Sequence, residues 1–316
     1  MSAPDDLYFL LLPAFSMMGF VSAVEPLRVA NRYQKNLYRW HILSVDGGPV
    51  TASNGMSLNA EGSLDTVDRA PTLFIVGGFN PLEHYTPALG SWLRRLDRAG
   101  TVLGAIDTGS FVLAEAGLLQ RQKLTLHWEA VAAFVERYPA LTAMVTQELF
   151  EIDGQRITSA GGTASIDMLL ALIARKHGHA LATAVSEQFV LGRIRNPSDH
   201  QRMQSAARYG IHNKKTIQVV SEMERHMEDP LSPDALADSI GVTRRQLERL
   251  FATYLKDTPS HFYLGLRLDR ARQLLQQTEM RVIEVSVACG FGSPSYFSRA
   301  YRSRFHSPPK QDRLAS

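Results

Sequence analysis

The first half of the chain alternates short continuous apolar runs with longer stretches whose apolar residues recur at helical spacing. Continuous apolar runs bounded by turn residues are typical of strands that are buried on both faces of a parallel sheet. The predicted strands are Tyr8–Pro13, Trp40–Val45, Thr72–Gly78 and Thr101–Ile106. The predicted helices cover residues 19–32, 86–99, 110–117 and 163–176. With a hairpin around Asp153-Gly154, this order predicts an α/β fold, a flavodoxin-like three-layer sandwich.

The pattern changes after Gly178, where the strand signals stop. Residues 180–191 have helical spacing, the stretch Gly192–Lys215 is polar and basic, and the rest of the chain is patterned as helices. We therefore predict three parts, which are an α/β domain (1–178), a helical linker (179–215) and an all-α domain (216–316).

The all-α part contains an internal repeat. Gly241 aligns with Gly290, and four apolar or proline positions repeat at a shift of 50 residues. These are Leu247, Phe251, Leu255 and Pro259, which align with Phe297, Tyr301, Phe305 and Pro309. A short helix, a glycine turn and a second helix with apolar residues four apart make a helix-turn-helix unit. Ser232, Thr243 and Ser293 are predicted helix N-caps.

The apolar rows bury one face of each second helix, so the opposite face is available for the major groove of DNA. Arginine and glutamine can bond base edges, and serine and tyrosine hydroxyls suit phosphates or bases. The predicted DNA-binding residues are Arg244, Arg245, Gln246 and Arg249 in the first copy, and Ser293, Ser295, Tyr296, Arg299 and Arg302 in the second. A single such arginine is more often only solvated, but a tandem repeat favours DNA binding.

The charge distribution supports this interpretation weakly. Residues 1–191 carry a net charge of −4 and residues 192–316 carry +7, so the basic part of the chain is the one with the repeat. No apolar run reaches the length of a membrane span, and the start has no basic signal-peptide region. The single cysteine, Cys289, excludes an intrachain disulfide and is expected to pack inside the second unit. We expect a cytoplasmic protein with no metal or cofactor.

Residues 216–313 resemble the DNA-binding domain of the AraC/XylS family of transcription regulators. The resemblance rests on the first unit, the linking stretch RLDRARQLL, and VACGFGSPSYFSRAYRSRF followed by SPP. It implies two recognition helices that enter successive major-groove segments on one face of the DNA. The chain departs from the family at its end, where Lys310-Gln311-Asp312-Arg313 replaces the common proline-x-x-tyrosine-arginine and leaves the last anchor undefined.

The strand-turn-helix AIDTGSFVLAEAGLL (Ala105–Leu119) brings one side chain, Asp107, to the carboxyl edge of the sheet, where α/β folds bind ligands. Together with TLHW (Thr125–Trp128), it resembles the class I glutamine amidotransferase-like (PfpI-like) superfamily. More narrowly, FSMMGFVSAVEPLRVAN and LYRWHILSVDGGPV resemble AraC-type regulators that carry such a domain. Enzymes of the superfamily have a cysteine nucleophile at this elbow, which a carboxylate cannot replace. The resemblance therefore implies a receptor and not an enzyme.

A ligand pocket is predicted around the elbow. Glu25 is included because relatives place an acid of the first helix there, and His127 and Trp128 because they match the family's pair. Gly78 follows the third strand, where backbone amides could hold a carboxylate. The predicted ligand-binding residues are Glu25, Gly78, Phe79, Asp107, Thr108, His127 and Trp128, with Phe15 and Trp40 as further aromatic candidates. Each aromatic is more often a core residue.

Acidic and aromatic groups favour a cation, and the Gly78 amide favours a carboxylate on the same molecule. The predicted inducer is therefore a zwitterion, and regulators of the resembling subgroup govern catabolism of arginine, glycine betaine or carnitine. We expect an activator of a catabolic operon that binds duplex DNA, contacts RNA polymerase and pairs as a homodimer through the α/β domain. The alternatives are a DNA-tethered amidase or peptidase, which would need Thr108 or Ser110 as nucleophile, and an architectural DNA-binding protein without a ligand.

Overall fold

The computed structural model describes residues 3–202, 205–278 and 280–314. It divides the chain into an α/β unit that ends at Gln201 and a helical unit that begins at Arg202. In the α/β unit, the strands are β1 (Asp5–Leu11), β2 (Tyr38–Leu43), β3 (Val50–Thr51), β4 (Ser57–Leu58), β5 (Thr72–Val76), β6 (Val102–Ile106), β7 (Phe150–Asp153) and β8 (Arg156–Ser159). Its helices are α1 (Met17–Tyr33), α2 (Pro87–Arg98), α3 (Ser110–Glu115), α4 (Val131–Arg137), α5 (Ala164–His177) and α6 (His179–Gln188).

The main sheet has the order β2-β1-β5-β6-β8-β7, and β3 pairs with β4 in a separate hairpin. All neighbours in the main sheet are parallel except β7, which forms the predicted antiparallel hairpin with β8. Successive residues of β1 point to opposite faces, since Phe9 belongs to the core that α1, α5 and α6 cover and Leu10 to the core beneath α2 and α3. The predicted α/β sandwich is confirmed, and its double burial explains why the strands are apolar throughout.

The α/β unit extends further along the chain than the predicted boundary at residue 178. Helix α6 packs against α1 and α5, with Leu181, Ala182 and Val185 buried in the same core, so it belongs to the sandwich. At the other end of the predicted linker, Ile211 is buried in the core of the helical unit. The structure thus divides the predicted linker between the two units.

The helical unit is built on the repeat. None of the helices in the described ranges is long and apolar enough to cross a membrane. The helices are α7 (Ser205–Arg208), α8 (Lys214–Arg225), α9 (Pro233–Ser239), α10 (Arg244–Tyr254), α11 (Pro259–Gln277), α12 (Val282–Ala288), α13 (Pro294–Phe305) and α14 (Pro309–Leu314). Gly241 and Gly290 both adopt positive φ, at 63° and 72°, as the turns between α9 and α10 and between α12 and α13 require.

Candidate functional site

The elbow of the α/β unit begins where β6 ends. Asp107 follows Ile106 directly and has a φ of 63°, a left-handed conformation that aspartate tolerates better than most residues. A short 3-10 turn over Asp107–Gly109 then leads into α3. This sharp turn lies at the carboxyl edge of the parallel strands, as the sequence predicted for a ligand crevice.

The Asp107 carboxylate is held by groups from three segments. It accepts hydrogen bonds from the Ser16 hydroxyl and from the Thr108 amide. Ser16 also caps α1, because its hydroxyl oxygen accepts the Gly19 amide at 3.2 Å. Gly161 lies on a third side of the Asp107 carboxylate. A Cβ atom added at Gly161 would lie 2.5 Å from Oδ2 of Asp107, so only glycine fits at this position.

Burial raises the pKa of Asp107 to about 6, although attraction to His127 and the hydrogen bonds from Ser16 and Thr108 oppose the rise. Glu129 acts in the same direction as burial, since a second negative charge disfavours ionisation. Nδ1 of His127 lies 3.7 Å from Oε2 of Glu129, and its ring is 5.6 Å from that of Trp128. The crevice therefore combines two carboxyl groups with an imidazole and an indole.

Gly78 and Phe79 lie beside this group, where the chain leaves β5. Gly78 faces Phe15 in an antiparallel bridge. The hydrogen bonds of this bridge are made by neighbouring residues. The Ser16 amide donates to the Gly77 carbonyl, and the Phe79 amide donates to the Ala14 carbonyl. In such a pair the N–H and carbonyl of Gly78 point away from its partner. The carbonyl accepts the Thr108 hydroxyl at 2.6 Å. The Phe79 side chain is 69% exposed, so it is available to a ligand.

Three predicted pocket residues do not present their side chains to the crevice, although the Phe15 backbone lies beside it, opposite Gly78. Glu25 lies nine residues beyond Ser16, which is about 13 Å along α1, and its carboxylate pairs with Arg28 at 2.6 Å. The prediction for Glu25 missed because α1 begins at the elbow and runs away from it. Phe15 is completely buried in the core. Trp40 is paired with Leu7, four residues before the carboxyl edge of β1, and packs on the same core.

Hydroxyl groups near the elbow are used in structural bonds. Besides the Thr108 bond to Gly78, Oγ of the completely buried Ser110 donates to the Thr125 carbonyl at 3.2 Å. Neither hydroxyl contacts a basic group in these bonds, so nothing activates it as a nucleophile. The arrangement does not favour the amidase alternative.

Sequence reasoning missed Ser16, Glu129 and Gly161 as parts of the crevice. Ser16 was recognisable only as an N-cap before an apolar helix, and Glu129 only by following the His-Trp pair. It also missed a cavity of about 470 Å³ elsewhere in the unit. Its lining includes Asp167 at the start of α5 and Arg195 from the segment after α6, which form an ion pair at 2.6 Å.

The second helix of the first helix-turn-helix copy, α10, has the predicted two faces. Leu247 and Phe251 are completely buried, and all of the predicted DNA-binding residues of this copy are exposed. Arg244 lies 3.4 Å from Glu248, and the Gln246 side chain accepts the Thr243 amide in a capping box. Within the described ranges, no ion pair involves Arg245 or Arg249.

The second copy repeats this geometry in α13. Phe297 and Tyr301 are completely buried, and Ser295, Tyr296, Arg299 and Arg302 are exposed together with Ser293. Ser293 caps α13 through a bond from the Tyr296 amide at 3.4 Å, so part of its bonding capacity is already used. Arg299 occupies the position equivalent to Arg249, since the copies align at a shift of 50. Cys289 is buried as expected, and burial raises the pKa of its thiol to about 11.

The unusual end of the chain forms a defined anchor. Asp312 of α14 accepts the Tyr301 hydroxyl at 2.8 Å and lies 3.1 Å from Nε of Arg272 on α11. The Arg272 guanidinium also lies 4.8 Å from the centre of the Phe305 ring. The carboxylate thus ties α14 to α11 and α13, which explains how the domain closes without the family's usual tyrosine.

Comparisons with known proteins agree with both units. The DJ-1/PfpI family matches residues 7–175, and the helix-turn-helix domain family matches residues 236–315. The HTH-type transcriptional regulator CdhR of Pseudomonas aeruginosa is 67% identical over 98% of this chain and 91% of its own. The HTH-type transcriptional regulator GbdR of the same species is 45% identical over 98% of this chain and 84% of its own.

A solved structure matches the α/β unit. The crystal structure of an AraC family transcriptional regulator from Pseudomonas putida is 28% identical, with a TM-score of 0.54, and the match covers 59% of this chain and all of that one. The similar proteins are thus named as regulators, which does not favour an enzyme.

Proposed function

Because this chain belongs to the HTH-type transcriptional regulators that join a DJ-1/PfpI-family domain to an AraC-type helix-turn-helix domain, we propose that it activates a catabolic operon in response to a small zwitterion. DNA binding is the function of the helical unit, and the observation that carries it is the tandem pair of units with basic, exposed second helices. A regulator of this kind acts on chromosomal DNA, so we place it in the cytoplasm. We also propose that it pairs as a homodimer and contacts RNA polymerase.

Arg245 is our leading candidate for reading a base. It is exposed on α10, outside any ion pair in the described ranges, and two residues after the N-cap Thr243, where recognition helices contact bases. We predict that Arg245→Ala lowers the affinity for the selected duplex by about 1–3 kcal/mol and relaxes sequence preference at one position. The measurement is fluorescence anisotropy of the full chain on duplexes selected from a random pool.

Arg121→Ala is the matched control, because it removes the same charge from an exposed position of the α/β unit. Its affinity for the selected duplex should equal that of the wild type. Unchanged affinity and selectivity in Arg245→Ala would refute the assignment of Arg245.

For the ligand, the crevice supports a cation held beside Asp107 and Glu129. The Phe79 face adds a cation–π surface, and the outward Gly78 amide suits a carboxylate. His127 lies close enough to both acids to bond a polar group of the ligand. A quaternary ammonium with a carboxylate, or an amino acid, fits this chemistry. The ligand-binding set that we propose is therefore Gly78, Phe79, Asp107, Thr108, His127 and Trp128, extended by Ser16 and Glu129.

A thermal-shift panel of glycine betaine, carnitine, arginine and sarcosine tests this site. A compound at about 100 times its dissociation constant adds roughly 2.7 kcal/mol of stability. Because the pKa of Asp107 is about 6, its carboxyl group is mostly ionised above that pH, and affinity for a cation should be highest there. Below it, affinity should fall by up to about tenfold per pH unit as the carboxyl group takes up a proton.

Asp107→Ala should abolish the shift and spare DNA binding. Asp65→Asn, which removes a negative charge from an exposed position of the 3-10 turn Leu64–Thr66, should leave the response intact. A normal response in Asp107→Ala would exclude the elbow as the ligand site. A panel without any stabilising compound would favour a DNA-binding protein that senses no ligand of this class.

A further inference from the structure

Thr125 is a buried junction between the elbow and the rest of the α/β unit. Its carbonyl accepts the hydroxyl of Ser110, which starts α3 three residues after Asp107. Its amide donates to Oγ1 of Thr158 on β8 at 2.8 Å, and its hydroxyl donates to the Glu148 carbonyl at 2.7 Å. Thr125 is also two residues before His127. Thr125 is therefore bonded to the first residue of α3 and lies in the segment that carries His127.

Gln201 is bound to this junction. Its side-chain amide nitrogen lies 2.9 Å from Oγ1 of Thr125, 3.1 Å from the Leu126 carbonyl and 2.9 Å from the Glu148 carbonyl. Carbonyl oxygens only accept hydrogen bonds, so the amide cannot be turned the other way without placing its oxygen against them. Oε1 of Gln201 is buried and has no hydrogen-bond partner within the described ranges.

Gln201 is also the last residue of the α/β unit, and the chain continues from it into the helical unit. The segment before it is fixed at two earlier points. Arg195 bonds the buried Asp167 carboxylate at 2.6 Å and 2.9 Å, and the Pro197 carbonyl accepts the Leu149 amide. The bonds of Gln201 are the third and last attachment of this segment. Unlike the attachments at Arg195 and Pro197, they reach the segment that carries His127.

We propose that Gln201 is the positioning residue that transmits occupancy of the elbow crevice to the helical unit, by holding or releasing the exit of the chain. This inference rests on the ligand response proposed above. A ligand that draws His127 toward it moves the two acceptors at Thr125 and Leu126 on which Gln201 depends. The unpartnered Oε1 can bond water once Gln201 is released, which narrows the free-energy difference between the attached and released states. When the free-energy difference between the attached and released states is small, ligand binding can shift the population from one state to the other.

The test uses the full chain and Gln201→Glu, which has the same shape but points oxygen atoms at two carbonyls. Glycine betaine affinity is measured by calorimetry and duplex affinity by anisotropy, with and without glycine betaine. In the wild type we expect glycine betaine to change duplex affinity by at least about fivefold, a normal allosteric coupling. In Gln201→Glu we expect less than about a twofold change, with glycine betaine affinity itself kept within about twofold.

Two further variants separate coupling from folding and charge. Gln201→Met keeps the length of the side chain without its hydrogen bonds and should lose coupling to the same degree. His200→Glu places a negative charge on the adjacent exposed residue and should retain coupling. Full coupling in Gln201→Glu or Gln201→Met would overturn the proposal, and so would equal loss in His200→Glu.

A second measurement distinguishes failure of this inference from failure of the proposed ligand. Hydrogen exchange of the 193–202 segment is compared in Asp107→Asn and in Asp107→Asn combined with Gln201→Met, with no ligand added. We expect Asp107→Asn to change exchange there by at least about threefold, and to add nothing further once Gln201→Met is present. No change in Asp107→Asn, or additive changes in the double variant, would overturn the coupling role even if glycine betaine binds. The expected result would support that role even if glycine betaine does not bind.

Discussion

The two helix-turn-helix copies share one backbone plan but are stabilised by different chemistry. In the first copy, α10 is held by Leu247 and Phe251, which pack in a core that includes Phe262 of α11. In the second copy, Tyr301 takes the position of Phe251, and its buried hydroxyl bonds to Asp312. The first copy is therefore stabilised mainly by apolar contacts, and the second adds a buried polar contact.

Arginines extend this difference. Arg304 of α13 makes two bonds to Asp269 of α11, at 2.7 Å and 2.9 Å. Arg267 of α11 donates to the carbonyls of Cys289 and Gly290 in the turn of the second copy, at 2.8 Å and 2.6 Å. Arg304 and Arg267 thus stabilise the second copy, whereas Arg244 is the arginine of α10 that forms an ion pair on the helix surface. In both copies, the other exposed arginines of the predicted DNA-binding set make no ion pair within the described ranges. A repeated fold therefore does not imply that arginines in the two copies have the same structural roles.

The largest expected effect should be equal in the two copies. Phe251 and Phe297 are both completely buried, and replacement of either by alanine removes apolar contact and leaves a cavity. We predict that Phe251→Ala and Phe297→Ala each lower the unfolding free energy of the helical unit by about 3–5 kcal/mol. Urea unfolding followed by circular dichroism gives the size, and hydrogen exchange of α10 and α13 locates the loss.

Tyr254→Ala is the control, because Tyr254 is 43% exposed and should lose far less stability. If one of the two phenylalanine variants loses much less unfolding free energy than the other, the apolar cores of the two copies do not contribute equally to stability.

The Asp312 anchor should produce a smaller effect that is confined to the second copy. Asp312→Ala leaves the buried Tyr301 hydroxyl without its acceptor, and we predict a loss of about 1–3 kcal/mol in unfolding free energy. Tyr301→Phe gives the second copy the side chain that the first copy has. In the Tyr301→Phe background, Asp312→Ala should lower the unfolding free energy by less than it does in the wild type. The difference between the two losses measures the interaction between Tyr301 and Asp312.

The exposed Asp238→Ala serves as the control for charge in this cycle. Additive losses in the double variant would mean that Asp312 stabilises the domain through contacts other than the Tyr301 hydroxyl, such as the one with Arg272.

The parts of the fold that local sequence determines were predicted correctly. Continuous apolar strands required a sheet covered on both faces, and the glycines at the two turns have the positive φ that the repeat implied. The caps at Ser232, Thr243 and Ser293 follow from side chains that bond amides three residues later.

The crevice was predicted less completely, because it is assembled from separate segments. Asp107 was identified from its own strand and turn, but Ser16 and Gly161 approach it only after folding. Glu25 was misplaced because spacing within a helix does not say which end of that helix lies at the sheet edge. The role of Gln201 could not be predicted from the sequence, because its hydrogen-bond partners lie more than fifty residues away along the chain.

The smallest expected difference concerns the caps of the two recognition helices. Thr243 and Gln246 cap each other reciprocally at 3.3 Å and 2.9 Å, whereas Ser293 accepts a single bond at 3.4 Å. We therefore predict that Thr243→Ala combined with Gln246→Ala, which removes both bonds, lowers stability by about 1 kcal/mol and Ser293→Ala by about half as much. Thermal unfolding of the two variants measures the difference, with Ser303→Ala on the exposed face of α13 as the control. Equal losses in the Thr243→Ala/Gln246→Ala double variant and in Ser293→Ala would mean that the bond from the Thr243 amide to the Gln246 side chain adds nothing to the stability of the first copy's cap.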